Sequence, residues 1–340
     1  MLEFVYEYGL FAAKALTWVL AIGLLLVLAA GLASRQKQAA QPLEVEDLSA
    51  ALRRQQRRLQ LATAGTEAAR KALRQQFRQA DKAEKKQPGE DTRLYVLDFK
   101  GSMDAREVHG LGQEVNALLQ LARPGDEVLV RLESGGGVVH GYGLGAAELA
   151  RLKAHGLGLT VAVDKVAASG GYMMACVAER IIAAPFAIVG SIGVVAQLPN
   201  FNKFLRNKDI DIELHTAGEY KRTLTLFGEN DEHGRAKFRE ELEVIHQRFK
   251  AFIAANRPGL DLARVATGEH WLASDARELG LVDRLQTSNE YLLEQSAGRR
   301  VIRLAYKPRQ GLKERLGKAA EAGVGRALMK LYEAGQRPFG

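Results

Sequence analysis

From Arg93 onward the hydrophobic positions fall into short dense runs separated by longer amphipathic ones. "RLYVLDF", "DEVLVRLE" and "LGLTVAVD" are apolar runs of strand length, with glycine or charged residues at their ends. Between them, "DAREVHGLGQEVNALLQLA" and "VVHGYGLGAAELARLKA" carry the spacing of helices that bury one face. The alternation continues through "VAASGGYMMAC", "RIIAAP" and "AIVGSIGVVAQ", and "HGRAKFREELEVIHQRFKAFIAANR" is a long amphipathic helix. Strands alternating with helices predict βαβ units and an α/β fold built on a mostly parallel sheet.

The chain before Arg93 has a different pattern. Ala15 to Ala33, "ALTWVLAIGLLLVLAAGLA", contains no charged residue. At about 1.5 Å per helical residue it comes close to crossing a hydrocarbon core of about 30 Å. Glu3 and Glu7 make the preceding segment acidic, which argues for a retained anchor over a cleaved signal peptide. Leu43 to Gln87 is rich in Ala, Leu, Gln, Arg and Lys, strong helix formers that predict a solvated helix or helical hairpin. "QPGEDT" then breaks the pattern. The predicted segments are an anchor over 1–34, a basic helical stalk over 35–90, an α/β domain over 91–297 and a basic tail over 298–340.

Charge and cysteine content narrow the chemistry. The net charge is +8, and much of the excess lies between Arg35 and Lys86, in the stalk. A solvated helical surface near a lipid bilayer accounts for it, and no specific nucleic-acid partner is implied. Cys176, the one cysteine, excludes an internal disulfide and any multi-cysteine metal site. The charges flanking the anchor favour a cytoplasmic C-terminal side.

Three loops of small residues follow successive strand candidates: "ESGGGVVHG" from Glu133, "AASGGY" from Ala167 and "VGSIGVV" from Val189. Loops leaving the carboxyl ends of parallel strands form binding sites, so the three predict one shared site lined by backbone N–H groups. No phosphate-loop or dinucleotide pattern is present, and "EVIH" gives one carboxylate–histidine pair only, so neither a nucleotide cofactor nor a metal is expected.

Acyl transfer remains. Ser169 stands at a strand-to-helix turn, where it either caps the helix or exposes its hydroxyl as a nucleophile. Gly170 N–H would face the same space, with Gly135–Gly137 supplying a second donor. A serine needs a base. His140, His109 and His215 are candidates, although no Ser-His-Asp pattern is legible. Lys221 in "TAGEYKRTLT", in a polar loop after the strand-like "DIDIELHTA", is the other, since a desolvated amine can be brought from about 10.4 to about 7–8.

Several stretches taken together are similar to the signal peptide peptidase A family of membrane-anchored serine proteases, and most to its short SohB-type members. They are "VLDFKGSMDA", "VLVRLESGGGVVHGYG", "VDKVAASGGYMMAC", "APFAIVGSIGVVAQLPNF" and "TAGEYKRTLT", covering Leu94 to about Arg284. The resemblance implies a ClpP/crotonase-like spiral of repeated ββα units for 91–297, behind an N-terminal transmembrane helix and helical stalk. It implies a Ser–Lys dyad without cofactor: Ser169 as nucleophile, Lys221 as general base, and Ser191 as the hydroxyl that positions the lysine. Gly170 and Gly137 would form the oxyanion hole, with Gly135 and Gly136 beside the substrate groove. Where such proteases usually have Ser-Pro-Gly-Gly, this chain has Ser134-Gly135-Gly136-Gly137, which leaves the loop more freedom before binding. With one copy of each motif, the resemblance also implies a homo-oligomeric ring with a shared groove. It places the protease domain on the periplasmic side of the inner membrane, against the charge count. The expected substrates are peptides, such as signal-peptide remnants or misfolded segments. The alternatives are a crotonase-type enzyme acting on acyl-CoA, for which Glu133 is the one obvious carboxylate, and a non-catalytic membrane scaffold.

Overall fold

A computed structural model describes residues 43–86 and 92–307, together with Gly9, Phe11, Lys14, Thr17, Trp18 and residues 21–23. The chain divides into two compact units, Met1–Pro42 and Leu43–Gly340. The described residues of the first are helical. Among the described residues no helix is long and apolar enough to cross a membrane. The anchor expected over Ala15–Ala33 lies for the most part outside them.

The second unit is a mixed α/β fold built on two sheets. The larger sheet has seven strands: β1 (Leu43–Asp47), β2 (Arg93–Lys100), β3 (Glu127–Glu133), β4 (Gly158–Val163), β6 (Arg180–Ala183), β9 (Arg284–Leu285) and β10 (Arg300–Tyr306). Their spatial order is β1-β10-β2-β3-β4-β6-β9, parallel throughout except for the antiparallel edge strand β1. The smaller sheet has the order β5 (Val166–Ala168), β7 (Ile188–Gly190), β8 (His270–Leu272). After β4 and again after β6 the chain steps from the large sheet into the small one, and after β3 it touches β5 through a bridge between Ser134 and Ala167.

Strands β2, β3 and β4 read as continuous apolar runs because both faces of the sheet are covered. One face packs on α3 (Val108–Leu121), α4 (Val139–Ala154) and α5 (Gly170–Ala175). In α3, Val108, Leu111, Val115 and Leu118 are buried at the spacing of one helix face. The opposite face carries Leu94, Val96, Leu129, Ala162, Ile182 and Val301, covered by Tyr291 and Leu292 of α10 (Ser288–Ser296) and by Leu48 of α1 (Leu48–Thr63). Cys176 is fully buried in the main core, where burial pushes its thiol up to about 12, so it is a packing residue.

Three expectations change. The helical region expected from Leu43 starts at Leu48: Leu43–Asp47 is instead the edge strand paired with β10. From Leu48 the chain forms a hairpin of α1 and α2 (Glu67–Lys86), closed by the Arg57–Asp81 ion pair and by Arg57 over the Phe77 ring. The basic tail expected from residue 298 includes β10, which lies inside the large sheet between β1 and β2. Its charges concealed it: Val301 and Leu304 are buried, while Arg300 reaches Asp47 and Arg303 reaches Asp98 and Glu46. The strand-like "DIDIELHTA" pairs with no strand among the described residues. It belongs to an excursion between β7 and α7 (Glu232–Asn256) that holds one short helix, α6 (Asn202–Arg206), and no sheet edge to complete the ladder. Helix α8 (Leu262–Val265) and helix α9 (Ala273–Glu278) flank β8.

Candidate active site

Ser169 occupies the single residue between β5 and α5, with φ 52° and ψ −118°. A non-glycine residue held there costs of the order of 1–3 kcal/mol, so its surroundings must over-determine it. Its N–H donates to Gly190 O at 2.8 Å, its carbonyl accepts from Met173 N at 2.9 Å, and Ala168 N–H donates to Ser134 O at 3.0 Å. Although Ser169 stands at the N-cap position, its side chain makes no capping hydrogen bond. The hydroxyl is therefore not spent on the helix, and the residue is half-buried at the surface.

The glycines of two loops are required by contact as well as by conformation. Gly136 has φ +91°, and a β-carbon there would lie 2.7 Å from Ser169 Cβ and 2.8 Å from Gly170 N. A side chain at Gly170 would enter the Tyr142 ring, and one at Gly171 would meet Ser134 O at 2.6 Å. The loop is thus pressed against the start of α5 with backbone on both sides. Gly135, by contrast, has open space where a side chain would be.

The N–H groups divide by what they already bind. Gly136 N–H donates to Ser134 Oγ at 3.0 Å, within the loop. Gly137 N–H finds no acceptor among the described residues, and Gly170 N–H opens a helix, where no intrahelical acceptor exists. Gly137 and Gly170, the two expected oxyanion donors, are the ones left free; Gly136 is not.

Ser191 follows Gly190, whose carbonyl holds Ser169, and is itself at φ 49° with its N–H on Glu269 O. Gly136 thus packs on Ser169 and Gly170, and Ser191 stands one residue beyond the carbonyl that holds Ser169. Lys221 is not brought to them. It lies on the exposed excursion, its N–H closing a turn onto Gly218 O at 3.2 Å, and its ammonium has no partner among the described residues. Of the three candidate histidines, His140 is exposed, His215 pairs with Glu213 and His109 stacks edge-on against Tyr306, and none is hydrogen-bonded to Ser169 among the described residues. Glu133, the carboxylate an acyl-CoA enzyme would need, is bound by Lys100 and Lys165, which hold it below the usual carboxylate range.

Residues that the sequence did not single out complete the site. Tyr142 is fully buried; its hydroxyl donates to Ser102 O at 2.8 Å and lies 2.5 Å from Ser134 Oγ. In sequence it is one aromatic in an apolar helix, and the only available signal was its place four residues after Val138 on the buried face of α4.

Comparison with known proteins gives the same direction as the geometry. Models of the peptidase family S49 N-terminal region and of peptidase family S49 match residues 3–149 and 151–301. A probable protease SohB of Haemophilus influenzae is 45% identical over 325 residues, covering 92% of each chain. A probable protease SohB of Buchnera aphidicola from Acyrthosiphon pisum is 52% identical over 240 residues, covering 71% of each. Among solved structures, a mutant of the 1510-N membrane-bound stomatin-specific protease with a substrate peptide aligns at TM-score 0.43 and 13% identity, over 67% of this chain and 97% of that one.

Proposed function

The chain belongs to peptidase family S49, and from that premise we propose that it is a serine endopeptidase with Ser169 as its nucleophile. The observation that carries the proposal is Ser169, held in a strained backbone conformation with its side chain unspent as a helix cap and packed against Gly136 beside Gly170. In this mechanism Ser169 Oγ attacks the scissile carbonyl carbon as its proton passes to the Lys221 amine. The C=O π electrons move onto oxygen, and the two N–H groups stabilise that oxyanion. Each such donor is worth about 10²–10³ in rate. Collapse breaks the C–N bond, the leaving amine takes the proton back from Lys221, and water hydrolyses the acyl-enzyme by the same steps in reverse order. Ser191 holds the lysine amine.

Lys221 reaches the serine on assembly. Its excursion exposes Val195, Phe201, Phe204, Ile210, Ile212 and Leu214, an apolar surface that suits a homo-oligomeric ring with a shared groove. The steps from large sheet to small sheet support a ClpP/crotonase-like spiral. Ala15–Ala33 anchors the ring to the inner membrane, with the protease domain on the periplasmic side. The substrates are peptides, including signal-peptide remnants or misfolded segments, presented near the bilayer.

The test is fluorophosphonate labelling with mass spectrometry of the modified peptide. Wild type is labelled at Ser169, and Ser169→Ala is neither labelled nor active. Lys221→Arg keeps its fold and loses peptide hydrolysis, since a guanidinium stays protonated and cannot accept the serine proton. Full activity of Ser169→Ala overturns the nucleophile; full activity of Lys221→Arg overturns the base and leaves the nucleophile standing.

A further inference from the structure

The loop that offers Gly137 N–H is three consecutive glycines, the most conformationally free sequence available. Something must hold it, and the hydrogen bonds at its root show what does. Tyr142 hydroxyl has one hydrogen, and it goes to Ser102 O, a carbonyl that can only accept. In the short contact between Ser134 Oγ and Tyr142, the hydrogen must therefore come from Ser134. Ser134 Oγ in turn accepts from Gly136 N–H. The result is a directed chain: Gly136 N–H to Ser134 hydroxyl, to Tyr142 hydroxyl, to Ser102 carbonyl. Each link polarises the next in the same sense.

The same tyrosine touches the other half of the site. Its ring fills the space where a side chain at Gly170 would sit, directly behind the residue that follows Ser169. The ring is fixed from its far side by an edge-on contact with Phe99 at 6.4 Å. Ser102 belongs to the turn after β2, and the neighbouring Met103 O accepts Val138 N–H at 2.9 Å, so that turn backs the glycine loop. Burial pushes the Tyr142 phenol above its ordinary value, which keeps its hydrogen available to donate.

Resting on the serine-peptidase proposal, we infer that Tyr142 is a positioning residue of the oxyanion hole. Through Ser134 it engages Gly136 N–H and thereby leaves Gly137 N–H to converge with Gly170 N–H on the oxyanion. It touches no reacting atom. Its hydroxyl sets the direction of one donor and its ring sets the position of the other.

The experiment uses the full chain with two probes: a peptidyl aminomethylcoumarin with an apolar terminal residue, and a fluorophosphonate. Tyr142→Phe keeps the ring against Gly170 and removes the hydroxyl alone. Its kcat and its maximal phosphonylation rate are expected to fall about 10–100-fold, with KM within about twofold of wild type, because an oxyanion contact is made only in the transition state. Ser134→Ala breaks the same chain one link away and should lose as much. The double variant should lose no more than either single one, since all three cut one path. Wild-type kcat in Tyr142→Phe, or losses that multiply in the double variant, overturns the inference. So does a fall seen only in KM. If Tyr142→Phe does not fold, Ser134→Ala carries the test by the same kcat-against-KM split. Ser169→Ala, run alongside, separates the two claims: an active Ser169→Ala variant refutes the peptidase proposal itself, whereas an inactive one beside a wild-type-like Tyr142→Phe refutes only the positioning role.

Discussion

The site around Ser169 and the excursion that carries Lys221 are opposite in construction. Around Ser169 backbone meets backbone, glycines sit where no side chain fits, and a strained residue is held by hydrogen bonds on both sides. On the excursion every residue from Val195 to Phe201 and from Arg206 to Arg222 is exposed. Its apolar side chains face outward, and its alternating "DIDIELHTA" has no partner strand among the described residues. The proposed nucleophile and the proposed oxyanion donors thus lie within one packed region of one chain. The proposed base is carried on an element that the chain does not pack. On the proposed mechanism such a site stays incomplete until something covers the excursion, which would separate folding from the acquisition of activity.

The comparison can be broken most sharply at two glycines of similar backbone conformation. Gly136 has φ +91° with Ser169 and Gly170 against it, whereas Gly218 has φ +97° and nothing within 4 Å. Gly136→Ala suffers both the left-handed penalty and overpacking, so it should destabilise by about 2–5 kcal/mol and abolish fluorophosphonate labelling. Urea denaturation and labelling of the same preparation check this, and a stable, labelled variant would show that the loop is loosely packed.

A second expected effect lies on the packed side, at Glu114 of α3. It is 6% exposed and accepts Tyr306 N–H of β10 at 2.7 Å. Burial outweighs that hydrogen bond and raises its carboxyl from 4.5 to about 7. The folded state therefore binds the proton more tightly than the unfolded one. Stability falls as pH rises from about 4.5 to about 7, and the loss is complete above that window. Glu114→Gln removes the titration, and its advantage over wild type should grow across the same window to at most about 3 kcal/mol. Denaturation at pH 5 and pH 8 measures it, and an equal difference at both pH values would reject it. The smallest effect belongs to Gly218→Ala, about 1 kcal/mol, because its strain arises in open solvent with no neighbour to collide with. A loss as large as that of Gly136→Ala would mean that the excursion is packed after all.

What the sequence disclosed follows the same division. β2, β3 and β4 were legible because strands buried on both faces are apolar at nearly every position. Ser169 and its glycine loops were legible because close backbone approach leaves glycine as the residue that fits. β10 was not, since Arg300 and Arg303 find carboxylates that lie more than 200 residues away in sequence, and a local reading sees only their charge. Tyr142 was hidden for a related reason: its proposed role rests on its hydrogen bonds with Ser102 and Ser134, the former 40 residues distant. The "DIDIELHTA" segment misled in the opposite direction, because alternation predicts a strand only where an edge exists to receive it.

The position of β10 has a consequence for how the chain is made. Strands β1 and β2 are not neighbours, because β10 lies between them and is paired with both. As the polypeptide leaves the ribosome, β2 can pair with β3 early, yet its other edge stays open until Arg300–Tyr306 has emerged. β1 cannot join the sheet before then, and the Glu46–Arg303 ion pair closes a separation of 257 residues. Contacts so distant in sequence form slowly, because the entropy of closing the loop is lost before the pairing is gained. The nascent protein therefore carries an exposed parallel-strand edge through most of its synthesis. A ribosome stalled just short of Arg300 would hold a protein in which Ser169, Ser191 and Lys221 are all synthesised and the sheet is still unfinished.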